Sequence, residues 1–272
     1  MTKTVTQAVE ELVRATVHLT DEDMGRVWKW GDYDEEGLRF ALLMTHQELR
    51  DLAVRLAARG QAQPTQAERI LAQYHQTYRD LTGLLASVRS EDLDRAPAEG
   101  EWPLREALDH MLGAEYGFLG VNRGALERHR AGNATEPTEA EFNEYRKPYA
   151  KPKDAVAGTI ESIRDAFLEI HRRVLRELAD VTDAELDKRA TYWENEPMPI
   201  RFRLHRFEEH LRQHTIQLDK TLAVIRPPTE AHRLVRNIYN ALADVESASA
   251  SAEDLRTQFA AAISERAAAI VA

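Results

Sequence analysis

From Thr65 to Val88 the apolar residues Ile70, Leu71, Tyr74, Tyr78, Leu81 and Leu85 recur three and four positions apart. That period gathers them on one face of an α-helix and on no single face of a strand. The same spacing returns in most long segments of the chain, which are rich in Ala, Leu, Glu and Arg, while strand-like alternation is essentially missing. Glycine and proline, 12 and 10 in 272 residues, are sparse and clustered between these segments, where they act as punctuation. The fold class is therefore all-α.

Four segments make a central group. The first follows Pro64 and opens on Thr65, with Glu68 three residues later, the pattern of a reciprocal helix cap. The second begins at Trp102-Pro103, with proline in the first turn where its missing N–H costs nothing. It carries Leu104, Leu108, Met111, Leu112 and Phe118, and a long polar connection over residues 129–153 follows it. The third is expected from near Asp154, through Ile160, Phe167, Ile170 and Leu178. The fourth runs from near Ile200 to just before Arg226-Pro227-Pro228.

Four amphipathic helices with these links suggest a four-helix bundle over residues 63–228. It carries an N-terminal helical extension at 1–62 and a C-terminal hairpin at 229–272, broken at the serine-rich SASASAED. The added helices are expected to pack on the bundle or on a second subunit, which would make a homodimer. A faint internal echo pairs Glu22, Asp23, Gly31 and Tyr33 with Glu91, Asp92, Gly100 and Trp102 at a constant offset.

Composition removes several function classes. There is no cysteine, which excludes disulfides, cysteine zinc clusters and an internal thiol nucleophile; any metal must be held by His, Asp or Glu. A net charge of −10, with no basic stripe, argues against a nucleic-acid partner. No apolar run approaches the roughly 20 residues that span a bilayer, and the N-terminus lacks a signal-peptide core, so a cytoplasmic location without membrane partners is expected.

Chemistry concentrates in LHRFEEHLRQHTIQL, residues 204–218, with three of the ten histidines. At about 100° per residue, His210 and His214 lie about 40° apart on one face, whereas His205 stands roughly 140° and 180° away from them. His214 sits within the apolar stripe of Leu204, Phe207, Leu211 and Leu218, and His210 at its edge. Two adjacent buried imidazoles are either a hydrogen-bonded core pair or metal ligands. The residue after His210 is Leu211 and not glutamate, so this is not the metalloprotease motif. Two histidines hold a divalent ion poorly. The best third ligand is His110, beside Met111 on the second core helix, with His75 as its rival; His46, His171 and His232 read as solvated-face residues. Three neutral imidazoles would leave positions open for water or substrate and would suit zinc or nickel, with iron(II) and manganese(II) also compatible.

Trp102, Arg105, Glu106 and His110 opening the second core helix, together with Glu209, His210, His214 and Gln217 in the fourth, resemble the motifs of the DinB-like (YfiT-like) metal-binding four-helix bundle family. The resemblance covers about residues 65–226. It implies a divalent metal held by His110, His210 and His214. It also implies thiol-dependent S-transferase or isomerase chemistry with a low-molecular-weight thiol as cosubstrate. A metal-bound thiol would be delivered as thiolate at neutral pH. Glu106, one turn before His110, is then either a proton acceptor or an exposed glutamate. Tyr192 and Trp193, in the loop feeding the fourth helix, are candidate pocket walls, and Arg201, Arg203 and Arg206 candidate carboxylate binders. Against a transferase acting on small electrophiles stand metal-assisted hydrolysis, with water as nucleophile, and a non-catalytic module that binds a small molecule or a partner.

Overall fold

The computed structural model describes residues 3–60, 63–133, 137–191, 196–248 and 252–271. In chain order its helices are α1 (Val5–Thr16), α2 (Leu38–Arg59), α3 (Gln66–Leu85), α4 (Leu104–Arg130), α5 (Glu139–Arg146), α6 (Ile160–Glu177), α7 (Ile200–Ile225), α8 (Glu230–Ser247) and α9 (Glu253–Val271). Besides an isolated antiparallel bridge between Trp30 and Tyr33, the described residues depart from the helical pattern in a short antiparallel ribbon. It joins β1 (Arg189–Ala190) to β2 (Met198–Pro199), with Ala190 opposite Met198. No helix in the described residues is long and apolar enough to cross a membrane.

The chain divides into two compact units, and two of the four boundaries fall inside α3 and α7. One unit holds Pro64–Tyr78 and Arg89–Thr221. Its first helix starts where the cap pattern places it: Thr65 Oγ1 accepts the Glu68 N–H at 3.2 Å and Glu68 Oε2 accepts the Thr65 N–H at 2.7 Å. The apolar faces of α3, α4, α6 and α7 supply the core, with Tyr74, Leu108, Met111, Phe167, Ile170 and Phe207 all buried.

Two departures from the sequence reading have local causes. Helix α6 starts at Ile160 and not near Asp154, because Thr159 supplies the cap through its side chain and residues 154–157 close a turn instead. The connection after α4 is not purely irregular. Thr138 and Glu141 cap each other's backbone at 2.8 and 3.3 Å and start the short α5. This segment lies against α4 where glycine leaves room: a Cβ on Gly124 would stand 3.1 Å from Tyr145, and one on Gly120 3.2 Å from Tyr149.

The other unit holds Met1–Gln63, Arg79–Val88 and Leu222–Ala272. Here α1 packs on α9 and α2 on α8 around a core that includes Leu12, Leu42, Leu49, Ile238, Leu242 and Ile263. The two terminal segments, which the sequence presents as separate additions, thus share one hydrophobic core. The last turns of α3 join it through paired ions, Arg79 with Glu246 at 2.5 Å and Asp80 with Arg236 at 2.7 Å. The internal echo has a local counterpart. Asp23–Gly25 and Ser90–Asp92 are both single 3-10 turns preceding a long helix, α2 and α4 respectively.

Candidate metal centre

Helical spacing brings His210 and His214 together, and His110 joins them from a second helix. His210 and His214 are one turn apart on α7, and His110 reaches them from the second turn of α4. The ring centroids are separated by 4.4 Å for His210 and His214, 4.7 Å for His110 and His214, and 5.0 Å for His110 and His210. Each ring offers one nitrogen such that all three lie within 4.8 Å of one another, and the Nε2 atoms of His110 and His210 are 3.1 Å apart. Ligands roughly 2.1 Å from a common ion stand roughly 3 to 3.5 Å from each other, so only small adjustments separate this arrangement from a coordination set. His205 is not part of the cluster, in keeping with its place on another face of the helix.

The donor chemistry also fits a divalent ion. His214 Nδ1–H donates to Gln217 Oε1 at 2.8 Å, which leaves the other ring nitrogen with a lone pair, the tautomer a metal ligand needs. Burial pushes the His210 imidazole down to about 3, with the neighbouring His214, His110 and Arg206 acting in the same direction. His110 is lowered too, by burial first and then by His214. His210 is therefore neutral at pH 7 and available as a ligand. His210 Nδ1 is buried and has no hydrogen-bond partner among the described residues, which costs about 1–3 kcal/mol whether or not Nε2 holds an ion.

The cluster is not sealed. His210 and His214 are 7% and 8% exposed, but His110 is exposed, and a cavity of about 490 Å³ opens beside His110 and His210. Gly113, Ala114 and Phe118 of α4 line it, and the two small residues leave room beside His110. Charge enters from Arg206 and from Lys151, which is ion-paired to Asp109. The Arg206 guanidinium lies 5.8 Å from the Phe118 ring centroid, and its buried Nε has no acceptor among the described residues.

The remaining candidates fall in different places. Glu106 is exposed on α4, one turn before His110. Tyr192 and Trp193 lie outside the described residues. Arg201 faces Asp187 at 3.8 Å. Arg203 is buried and donates to the carbonyl oxygens of Ala190 and Glu196 at 3.2 Å, which closes the loop before α7 and engages it there. His75, the rival ligand, is instead within 2.8 Å of His171, Nδ1 to Nε2. His171 corrects the solvated-face expectation: it is 2% exposed and stacks on Tyr78 with centroids 3.7 Å apart. The signal was available, because His171 is four residues after Phe167 and three before Val174, inside the apolar stripe of α6.

One functional-grade residue leaves no motif at all. Glu115 is 1% exposed, accepts a hydrogen bond from the Tyr74 hydroxyl, and is pushed up to about 8 by burial, with the Tyr74 bond opposing the shift. It occupies the stripe of α4, four residues after Met111.

A family model described as the DinB superfamily matches residues 73–218, more than half of the chain and a span that contains all three histidines. No curated protein and no solved structure matches the chain.

Proposed function

The chain belongs to the DinB superfamily, and from that premise we propose that it is a divalent-metal-dependent S-transferase that joins a low-molecular-weight thiol to a small electrophile. The observation that carries the proposal is the convergence of three imidazoles, with His210 held neutral, beside an open cavity of about 490 Å³. His110, His210 and His214 would hold the ion, with zinc or nickel preferred by all-nitrogen ligation and iron(II) or manganese(II) compatible. Such an ion would lower the pKa of a bound thiol and so supply a nucleophile that a chain without cysteine lacks.

The other residues act on binding and protons. Gln217 fixes the tautomer of His214 through the Nδ1–H bond. Arg206, without a carboxylate partner among the described residues, would anchor a carboxylate of thiol or acceptor at the mouth of the cavity. Phe118, Ala114 and Gly113 give an apolar wall that excludes water from part of the space. Glu106 is assigned the thiol proton. The acidic chain suits small-molecule partners in place of nucleic acid or membrane. The reducing cytoplasm is where a low-molecular-weight thiol would be at hand.

The test is to load the purified protein with zinc or nickel and mix it with glutathione, mycothiol or bacillithiol and an electrophile such as chlorodinitrobenzene. Adduct formation that needs both metal and thiol, and that His210→Ala abolishes, is the expected result. Metal-dependent hydrolysis of an acceptor without thiol would replace the transferase by a hydrolase. Absence of turnover in either assay would leave a binding module.

A further inference from the structure

Residues 27–40, outside the span matched by the family model, gather aromatic side chains at the surface of the unit that holds α2. Gly31, at φ 61°, and Asp32 make a two-residue turn, and Trp30 and Tyr33 exchange both backbone hydrogen bonds across it, at 2.8 and 3.1 Å. Residues paired in this way present their side chains on one face, and Trp28, two positions before Trp30, shares it. The rings continue into α2. Centroids are 6.0 Å apart for Trp28 and Trp30, 6.5 Å for Trp28 and Phe40, and 4.7 Å for Tyr33 and Phe40. The group is not covered: Trp30 is 39% exposed, Tyr33 37% and Val27 78%.

Two observations indicate what this surface takes. The cluster already holds one guanidinium: buried Arg266 of α9, bonded to Glu48 at 3.0 Å, lies over the Trp30 ring, 4.8 Å from its centroid. Carboxylates also crowd the hairpin, since four of the five residues from Asp32 to Glu36 are acidic. Lys29 answers Asp34 at 3.7 Å and Glu36 bonds the Tyr33 hydroxyl, but Asp32 and Glu35 have no ion-pair partner among the described residues. Exposed carboxylates alone are ordinary solvated surface. Beside exposed Trp and Tyr they complement the ring faces, which attract cations, and they accept a guanidinium through two parallel hydrogen bonds. Centroids this close belong to rings in mutual contact, which leaves no cage between them for a lone small cation. Cations must instead lie on the outer faces. A chain carrying several of them reaches Trp30 and Tyr33 together, because alternate side chains of an extended peptide stand on one side about 7 Å apart.

We propose that this hairpin docks an extended, arginine-bearing peptide segment of a partner protein, its guanidinium groups stacked on Trp30 and Tyr33 and paired with Asp32 and Glu35. The test is fluorescence anisotropy of a labelled peptide alternating arginine with alanine, added to the full chain at about 0.15 M salt, where longer-range attraction is screened. Peptides with lysine or neutral citrulline in place of arginine are the comparisons. The arginine peptide should saturate one site per chain, the lysine peptide should bind about fivefold or more weakly, and the citrulline peptide should not bind. Asp32→Asn/Glu35→Gln should lose about fivefold or more, and Tyr33→Leu, which keeps apolar bulk beside Phe40, about threefold. Glu99→Gln/Glu139→Gln removes the same charge from exposed positions elsewhere and should keep the affinity of the parent. Absence of saturable binding, equal affinity for the lysine peptide, or full affinity in Tyr33→Leu would each overturn the proposal. So would equal losses in the two charge variants, which would reveal bulk attraction to a chain of net charge −10. Because the arginine–lysine comparison is made on the unaltered protein, it decides the matter even if a variant misfolds.

Discussion

Replacing Glu115 by Gln should flatten part of the pH dependence of stability. In the folded chain the carboxyl is buried against the Tyr74 hydroxyl and held at about 8, whereas in the unfolded chain it returns to about 4.5. A raised value means the folded state keeps a proton that the unfolded state releases. This contribution is complete below pH 4.5 and disappears as pH rises through about 8. Each pH unit in that interval removes about 1.4 kcal/mol, on the order of 5 kcal/mol in all, a large share of the stability of an ordinary domain. Glutamine keeps an acceptor for Tyr74 but adds N–H groups where Glu115 Oε1 is buried without a partner, at a pH-independent cost of about 1–3 kcal/mol. The measurement is urea unfolding of metal-free protein, followed by far-UV circular dichroism from pH 4.5 to 8 in both forms. Glu115→Gln should be the less stable at pH 4.5 and the more stable at pH 8. A difference that stays constant across the range would show that Glu115 is ionised in the folded protein and refute the reasoning.

Gln217→Leu removes the acceptor that orients His214 and should weaken metal affinity by about tenfold or more in a chelator competition, while leaving the metal-free melting temperature nearly unchanged. Unaltered affinity would deny Gln217 that role. Gly83→Ala would place a Cβ 2.8 Å from the Arg236 Cα, a backbone atom that cannot swing aside. Overpacking of about 1–3 kcal/mol should outweigh the gain of about 1 kcal/mol in helix propensity, so chemical denaturation should report a less stable protein.

The helices of the centre were legible because their signals are local. Thr65 with Glu68, Trp102-Pro103 and the Arg226-Pro227-Pro228 stop sit within a few residues of the boundaries they set. The convergence of His210 with His214 followed from helical spacing, and His110 from its position on the second core helix. Other features have no local signature. Pairing of α1 with α9 joins segments more than two hundred residues apart, and nothing in either reveals its partner. Unit boundaries inside α3 and α7 leave no composition shift, because the helices run on without interruption. Short α5 carries too few apolar residues to show a period. Glu115 and His171 are polar residues in apolar stripes, so a reading that equates polar with solvated passes over them. Lys151 joins the cavity beside the histidines from a loop, where spacing carries no geometric information.

Metal content per chain is the most direct measurement. Elemental analysis of the purified protein, after reconstitution and removal of loosely bound ions, should find about one divalent ion per chain. His110→Ala, His210→Ala and His214→Ala should each lose it, and His205→Ala, on another face of the same helix, should retain it. A wild-type protein that resists reconstitution, or a His210→Ala variant that binds the ion as tightly as the parent, would contradict a metal centre built from these three side chains.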